Sequence, residues 1–168
     1  MGPQKGKGKK RPDFDPKFED WNGLSKQYEG ETNRGAAVLA AGFADYVLSS
    51  FMKYNLTNKR KAKELFGTSR PLGSFGAKIL AGEAFGIIGS EEAHNLNMVR
   101  EIRNYFAHEP MECTFDDPPI SGLVDAIKLP VEFEKLIPVP IPRRMRYVMA
   151  IALFCAPKLA EMERNPRP

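Results

Sequence analysis

Residues 90–110 read SEEAHNLNMVREIRNYFAHEP, and this stretch decides the fold because it carries a helix with unusual polar spacing. Ser90 can act as the N-cap, and two glutamates follow it in the first turn, where carboxylates meet the positive end of the helix dipole. Pro110 cannot continue a helix and disfavours helical geometry at the residue before it. The stretch therefore predicts a helix over residues 90–108.

The predicted helix has one apolar face and one polar face. Val99, Ile102 and Phe106 recur at helical spacing and form the apolar side. Five polar residues, spaced three and four positions apart in turn, fall along a line that we call the polar stripe: His94, Asn97, Glu101, Asn104 and His108. The chain has only two histidines, and both lie on this stripe.

Three residues near the end of this helix provide groups suited to RNA cleavage without a metal. A histidine titrates near neutrality, with an unperturbed pKa of about 6.5, so His108 can act as general base or acid. Arg103 is a permanent cation that can bind a phosphate through two hydrogen bonds. Asn104 lies one helical turn before His108 and can orient its ring. Together they could activate a 2′-hydroxyl and stabilise the charge that develops on the phosphate.

Arg103 and His108 cannot cooperate on one straight helix. Five residues correspond to a rotation of about 140°, so the two side chains do not share a face. They can converge only if the helix ends near Ala107, or if two chains pair so that their motifs face each other. A catalytic reading of this segment therefore requires an early helix end or a second chain.

Three further residues are candidates for a polar groove or a dimer interface: His94, Asp45 and Glu101. Asp45 stands alone in the apolar middle of a helix predicted over residues 32–54, where an unpaired carboxylate would be costly. We therefore expect it to face a basic partner or a solvated groove. In the alternative without chemistry, the polar stripe is a solvated surface and Arg103 pairs with Asp45 or Glu101.

The remaining sequence also favours helices. A segment over residues 74–88 is predicted to be helical, with glycines that permit close helix contact, whereas the proline-rich residues 130–142 suggest an extended connection. Pro157 is expected to kink the last helix. With no strand pattern and no internal repeat, we predict an all-α, single-domain helical bundle with shorter helices and about three long ones, over residues 32–54, 90–108 and 143–164.

The basic charge of the chain is concentrated at its amino terminus, in Lys5, Lys7, Lys9, Lys10 and Arg11. The net charge is +4, but without these five residues 20 basic side chains face 21 acidic ones. We predict a disordered basic tail over residues 1–15, followed by a single all-α domain over residues 16–168. The tail can add non-specific, salt-sensitive contact with nucleic acid, or it is simply a solubilising extension.

The bulk composition excludes several classes of protein. A hydrophobic fraction of 42% and a charged fraction of 27% are typical of a soluble globular protein. Cys113 and Cys155 have no metal-ligand spacing and indicate reduced thiols in a cytoplasmic protein. The longest apolar runs fall short of the roughly 20 residues that span a bilayer, so we expect no contact with a membrane. No cofactor or metal site is predicted.

The hexapeptide RNYFAH, residues 103–108, resembles the Rx4H signature of the HEPN superfamily. A wider series of segments resembles the mannitol operon repressor (MtlR) family: RGAAVLAA at 34–41, PLGSF at 71–75, the IRNxFAH-like motif, and FDDPPI at 115–120. The resemblance extends from about residue 34 to residue 120, over half the chain. The basic tail and the proline-rich connection lie outside it.

The resemblance implies a small helical bundle that forms a dimer and regulates transcription, as a repressor, through protein partners without a DNA-reading motif. The absence of a helix-turn-helix with a basic recognition helix agrees with this. HEPN proteins also imply an alternative, a metal-independent endoribonuclease with Arg103, Asn104 and His108 at the dimer cleft. His108 is followed by Glu-Pro and not by the His-x-Tyr of some HEPN toxins. A third reading is a purely structural interaction module.

Overall fold

The computed structural model describes residue 28 and residues 30–109, 111–136 and 140–166. Within them the chain forms no strand, and from residue 33 onward its helices are α1 (Asn33–Asn55), α2 (Lys59–Leu65), α3 (Phe75–Ala84), α4 (Ser90–His108), α5 (Ile120–Asp125), α6 (Val131–Leu136) and α7 (Arg143–Arg164). The prediction of an all-α bundle with three long helices is therefore confirmed. The predicted basic tail lies outside the described residues.

Helix α1 is the central element of the bundle and packs against α7, α4 and α3. Thr32 caps its start, because the threonine side chain accepts a hydrogen bond of 3.0 Å from the Gly35 backbone N–H. Its inward face consists largely of alanines with no exposed surface, which lets the neighbouring helices approach closely. The most apolar 18 residues of α1 have a mean hydropathy of 1.4, high enough for a membrane span, but 56% of that window is buried inside the bundle, as in a core helix.

An aromatic cluster joins α4 to α7. The Phe115 ring lies between Phe106 of α4 and Tyr147 of α7, with centroid distances of 4.9 and 5.2 Å. The Tyr147 hydroxyl donates a hydrogen bond of 2.8 Å to the Ala37 carbonyl of α1. All three rings are almost completely buried, so the segment after α4 is anchored in the core at Phe115.

Two elements differ from the sequence predictions. The helix predicted over residues 74–88 ends at Ala84, because the backbone at Gly86 has a φ of +67°, a conformation that residues other than glycine rarely adopt. Gly82 does serve close packing, since a Cβ there would lie 3.3 Å from Ile88. The connection over residues 130–142 was predicted to be extended but contains α6, which begins directly after Pro130, a residue favoured at helix starts.

The ends of the long helices follow the predictions closely, with one change at α4. Its N-cap is Gly89, whose backbone N–H donates a hydrogen bond of 3.0 Å to the Glu92 carboxylate, and Ser90 is the first helical residue. The prediction of Ser90 as the cap was wrong, since Glu92 supplies the capping oxygen instead. Helix α7 is continuous through Pro157, which lies on its exposed side.

Candidate functional site

The amino-terminal half of α4 is tied to the rest of the bundle by charge. Glu92 forms an ion pair with Lys158 of α7, whose side chain is only 8% exposed. The ammonium group also lies over the rings of Phe51 and Phe154. A buried cation needs such partners, so Glu92 has a structural role at this end of the helix.

Two neighbouring side chains in α4 bind the segment that follows α5. His94 Nε2 lies 2.9 Å from the Ala126 carbonyl oxygen, and because a carbonyl can only accept, this ring nitrogen donates the hydrogen bond. Asn95 donates to the Lys128 carbonyl at 2.8 Å and accepts from the Lys128 N–H at 2.9 Å. The sequence offered His94 as a candidate for a groove or an interface, and in the structure its ring binds the segment after α5.

The two candidate carboxylates each have a partner, and neither partner is Arg103. Asp45 forms an ion pair of 2.6 Å with Lys78 of α3, so the expectation that it faces a basic group is confirmed. Glu101 lies on the surface, 3.3 Å from Arg100. The alternative in which Arg103 pairs with Asp45 or Glu101 is therefore wrong, because both positions are already served by closer cations.

The last two residues of the polar stripe, Asn104 and His108, and the adjacent Arg103 differ from His94 in that their side chains bind nothing within the described residues. His108 is exposed, and Arg103 and Asn104 are half-buried. Within the described residues, the side chains of these three form no hydrogen bond or ion pair. They are therefore available to groups outside the chain, in contrast to His94.

Arg103 and His108 remain on different faces of α4. The helix continues to His108, so the arrangement in which it ends near Ala107 does not occur. Arg103 lies near Tyr147: burial raises the pKa of Tyr147, and the guanidinium charge opposes that rise. A joint site for Arg103 and His108 would therefore require a second chain.

A groove of about 570 Å³ lies beside the end of α4, and the sequence did not predict it. Its walls come from the start of α1, the segment after α4 and the start of α7: Thr32, Asn33, Arg34, Glu112, Cys113, Thr114 and Arg144. Its two guanidinium groups are held by neutral oxygens, and neither has a carboxylate partner in the described part of the chain. These cations favour anions or polar peptide groups as ligands.

Arg34 holds the chain that leaves α4. Its guanidinium donates hydrogen bonds of 2.6 Å to the Glu109 carbonyl and 3.0 Å to the Met111 carbonyl. Arg144 similarly binds Asn33 Oδ1 at 3.2 Å and the Glu31 carbonyl at 2.8 Å. Both arginines therefore help to form the walls of the groove.

Cys113 lies half-buried in the wall of the same groove. Burial raises the pKa of its thiol, and the nearby charge of Arg34 opposes that rise only in part. A raised pKa lowers the fraction of reactive thiolate, so this cysteine does not resemble a nucleophile. The described residues contain no group of three or more His, Cys, Asp or Glu side chains that could hold a metal ion.

The segments that carry the sequence resemblance are mainly structural. Ser74 of PLGSF caps α3 by accepting a hydrogen bond of 3.1 Å from the Ala77 N–H. In FDDPPI, Phe115 fills the aromatic cluster and Asp116 pairs with Arg143 of α7 at 3.0 Å. These three motif residues therefore help to specify the fold, whereas the side chains of Arg103, Asn104 and His108 in RNYFAH have no such contact within the described residues.

Comparison with other proteins identifies the fold. No protein-family model matches the chain, and no curated protein matches it. Among solved structures, a chain from the MtlR–HPr complex of Escherichia coli is similar, with a TM-score of 0.51 and 17% sequence identity. The similarity covers 84% of this chain and 94% of that chain. At this identity the comparison shows a distant MtlR-like fold and nothing finer.

Proposed function

We propose that this protein is a cytoplasmic transcriptional regulator of the MtlR type, a repressor that acts through protein–protein contacts and not by reading DNA. One observation supports the proposal: 84% of this chain is similar in fold to a chain of the MtlR–HPr complex, a solved structure in which MtlR is bound to the protein HPr. The charge of the remaining chain supports the proposal. Without the five basic tail residues, 20 basic side chains stand against 21 acidic ones, and a body that is nearly neutral as a whole does not attract the phosphate backbone of nucleic acid.

The surface that best suits a protein partner is the end of α4 with the groove beside it. His108 is exposed there, and Arg103 and Asn104 have no hydrogen-bonding partner within the described chain. The groove adds the guanidinium groups of Arg34 and Arg144. Arginine is enriched at protein interfaces. The Arg103 guanidinium can bind carbonyl or carboxylate oxygens of a partner without breaking an internal hydrogen bond, whereas Arg34 and Arg144 already bind oxygens of this chain.

The test is a calorimetric titration of the full chain with HPr. We expect saturable binding that persists when residues 1–11 are removed, and that weakens about tenfold in Arg103→Ala. Arg60→Ala is the matched control, because Arg60 is an exposed arginine on α2 and should leave binding unchanged. No binding by the folded protein would contradict an HPr-type partner, and loss of binding with the tail would contradict a surface on the fold.

A specific observation also favours a second function, metal-independent cleavage of RNA. Arg103 and His108 are the two residues of the Rx4H motif, Asn104 lies between them, and the three side chains have no internal partner in the described residues. In this proposal His108 transfers the proton, Arg103 binds the phosphate and Asn104 orients the imidazole ring. Because Arg103 and His108 lie on different faces of α4, the phosphate bound by Arg103 of one copy would meet His108 of a second copy.

The nuclease proposal is tested by RNA cleavage in EDTA. Wild type should cleave the RNA, and the cleavage rate of His108→Ala should be lower by a factor of about a hundred or more, while circular dichroism shows an intact fold. The matched control is His94→Gln, which removes the other histidine and should retain cleavage. An inactive, folded wild type would contradict the nuclease, as would cleavage that survives in His108→Ala.

A further inference from the structure

A basic surface lies at the carboxyl-terminal end of α1, around the short helix α2. Residues 53–70 contain six basic side chains and one acidic side chain, whereas the rest of the chain after residue 11 contains 14 basic and 20 acidic ones. The near neutrality of the body is therefore an average over a basic end and an acidic remainder. The groove beside α4 lies about 30 Å away, at the other end of α1.

Local contacts hold α2 so that its basic side chains face outward. Asn58 caps the helix by accepting a hydrogen bond of 3.0 Å from a backbone N–H of the first turn. Lys59 donates a hydrogen bond of 2.7 Å to the Tyr54 carbonyl, which ties the start of α2 to the last turn of α1. Ala62 is buried and marks the inward face. The basic side chains on the other sides of α2 therefore point to solvent.

Three of these cations have no side-chain partner within the described residues: Arg60, Lys63 and Arg70. All three are exposed, and we call them the basic ridge. Arg60 and Lys63 lie three positions apart on α2 and so share a face. The Arg70 side chain passes 3.5 Å from the position that a Cβ would take at Gly67, just beyond the end of the same helix. The one acidic residue of the surface is already paired with Lys61 at 3.0 Å.

The composition of this surface favours a phosphate backbone over a protein partner. Its exposed residues between positions 57 and 70 are small or polar, and none of the large apolar side chains exposed elsewhere in the described residues lies there. A protein interface has an apolar or aromatic centre and is depleted in lysine. Nucleic-acid interfaces are more polar and more positively charged, and their backbone contacts come from Lys, Arg, Ser, Thr and Asn side chains.

We propose that the basic ridge binds the phosphate backbone of double-stranded nucleic acid without reading its sequence. Helix α2 has seven residues and is about 10 Å long, and one strand of B-DNA presents a phosphate about every 3.4 Å of its axis. Each cation of the ridge can therefore meet its own phosphate. A duplex is favoured because residues 57–70 expose no aromatic ring on which single-stranded bases could stack. The contact depends neither on the proposed HPr-type partner nor on the nuclease activity.

The test is fluorescence anisotropy with a labelled DNA duplex of about 20 base pairs and arbitrary sequence. The protein is the full chain with its five basic tail residues replaced by glutamine, so that the tail does not contribute. Binding should weaken about fortyfold between 50 and 200 mM salt, because three neutralised phosphates give a slope of about −2.7 in log K against log salt. Arg60→Gln/Lys63→Gln should reduce the slope to about −0.9 and weaken binding about tenfold at 50 mM salt.

The matched control is Lys128→Gln/Lys135→Gln, which removes the same charge from two exposed lysines outside the basic surface. It should keep the slope, and its affinity should stay within about twofold, while circular dichroism shows that each variant is folded. No binding of the duplex, an unchanged slope in Arg60→Gln/Lys63→Gln or an equal loss in the control would overturn the proposal. Tighter binding of polyglutamate, a probe for acidic proteins, or of a single-stranded RNA of the same length would also overturn it.

Discussion

The two halves of the polar stripe on α4 have the same spacing in the sequence but different roles in the structure. In the first half, His94 donates a hydrogen bond to the Ala126 carbonyl. In the second half, Asn104 and His108 have no side-chain partner within the described residues. Helical periodicity shows which residues share a face, but the segment that crosses this face after α5 decides which of them are structural.

The first half of the stripe should contribute to stability and the second half should not. The segment of residues 126–128 covers the first two turns of α4, where it binds His94 and the adjacent Asn95. Beyond that segment the polar groups face solvent or another molecule. Substitutions at matched residue types in the two halves test this division directly.

The largest expected effect is that of Glu92→Ala. This change removes the carboxylate partner of Lys158, which is 7% exposed, and the oxygen that caps the start of α4. Breaking a buried pair costs about 3–5 kcal/mol, and we expect about 2–3 kcal/mol here because the Glu92 side chain is 38% exposed. Urea denaturation measures the loss. Glu91→Ala, at the exposed neighbouring position, should change the free energy of unfolding by less than about 0.5 kcal/mol.

The second prediction compares two asparagines on α4. Asn95→Ala removes both hydrogen bonds with the Lys128 backbone and should lower the free energy of unfolding by about 2 kcal/mol. Asn104→Ala should change it by less than about 0.5 kcal/mol, because its side chain has no partner in the described chain. Equal losses in the two variants, measured by urea denaturation, would show that the division between the two halves is wrong.

The third prediction concerns the core beneath the second half, where Tyr147 lies. Burial raises its pKa in the folded protein above the usual value of 10.0, so folding favours the neutral phenol. Its contribution to stability is present below pH 10 and is lost as the pH rises above it, because only the unfolded chain ionises readily. Tyr147→Phe should cost about 1 kcal/mol at neutral pH through the lost hydrogen bond to Ala37.

The same variant should lose less stability than wild type between pH 10 and about pH 12, because it no longer has this phenol to ionise. Thermal unfolding across that range provides the measurement. Part of the alkaline loss of stability should remain in Tyr147→Phe. Burial also raises the pKa of Tyr28 to about 12, so this second phenol likewise ionises more readily in the unfolded chain. Identical alkaline profiles for the variant and wild type would contradict the placement of Tyr147 in the core.

Most of the fold could be predicted from the sequence, because long helices have a strong periodic signal. The bounds of α4 and α7, and a basic partner for Asp45, follow from apolar spacing and from the cost of an unpaired buried charge. The short helix α6 was missed because prolines at both sides of six residues indicate an extended chain as readily as a helix start. The exact end of a helix depends on local backbone geometry that the apolar pattern does not show, as at Gly86 after α3.

The candidate site could be predicted only in part. The sequence identified Arg103, Asn104 and His108, and the structure leaves their side chains without an internal partner in the described residues. The groove was missed because Arg34 binds backbone carbonyls 75 and 77 residues away in the chain, and no local pattern encodes such a contact. For the same reason, spacing could not show that the segment after α5 binds His94.

The division of the polar stripe can be tested most directly by NMR of the two histidine rings in ¹⁵N-labelled protein. We expect the His94 imidazole to be fixed as the Nε2–H tautomer with a slowly exchanging proton, because that nitrogen donates to the Ala126 carbonyl. We expect the ring protons of His108 to exchange rapidly with solvent, because this side chain is exposed. His108→Ala assigns the two signals. Two protected rings, or two rapidly exchanging ones, would show that the two halves of the polar stripe do not differ in this way.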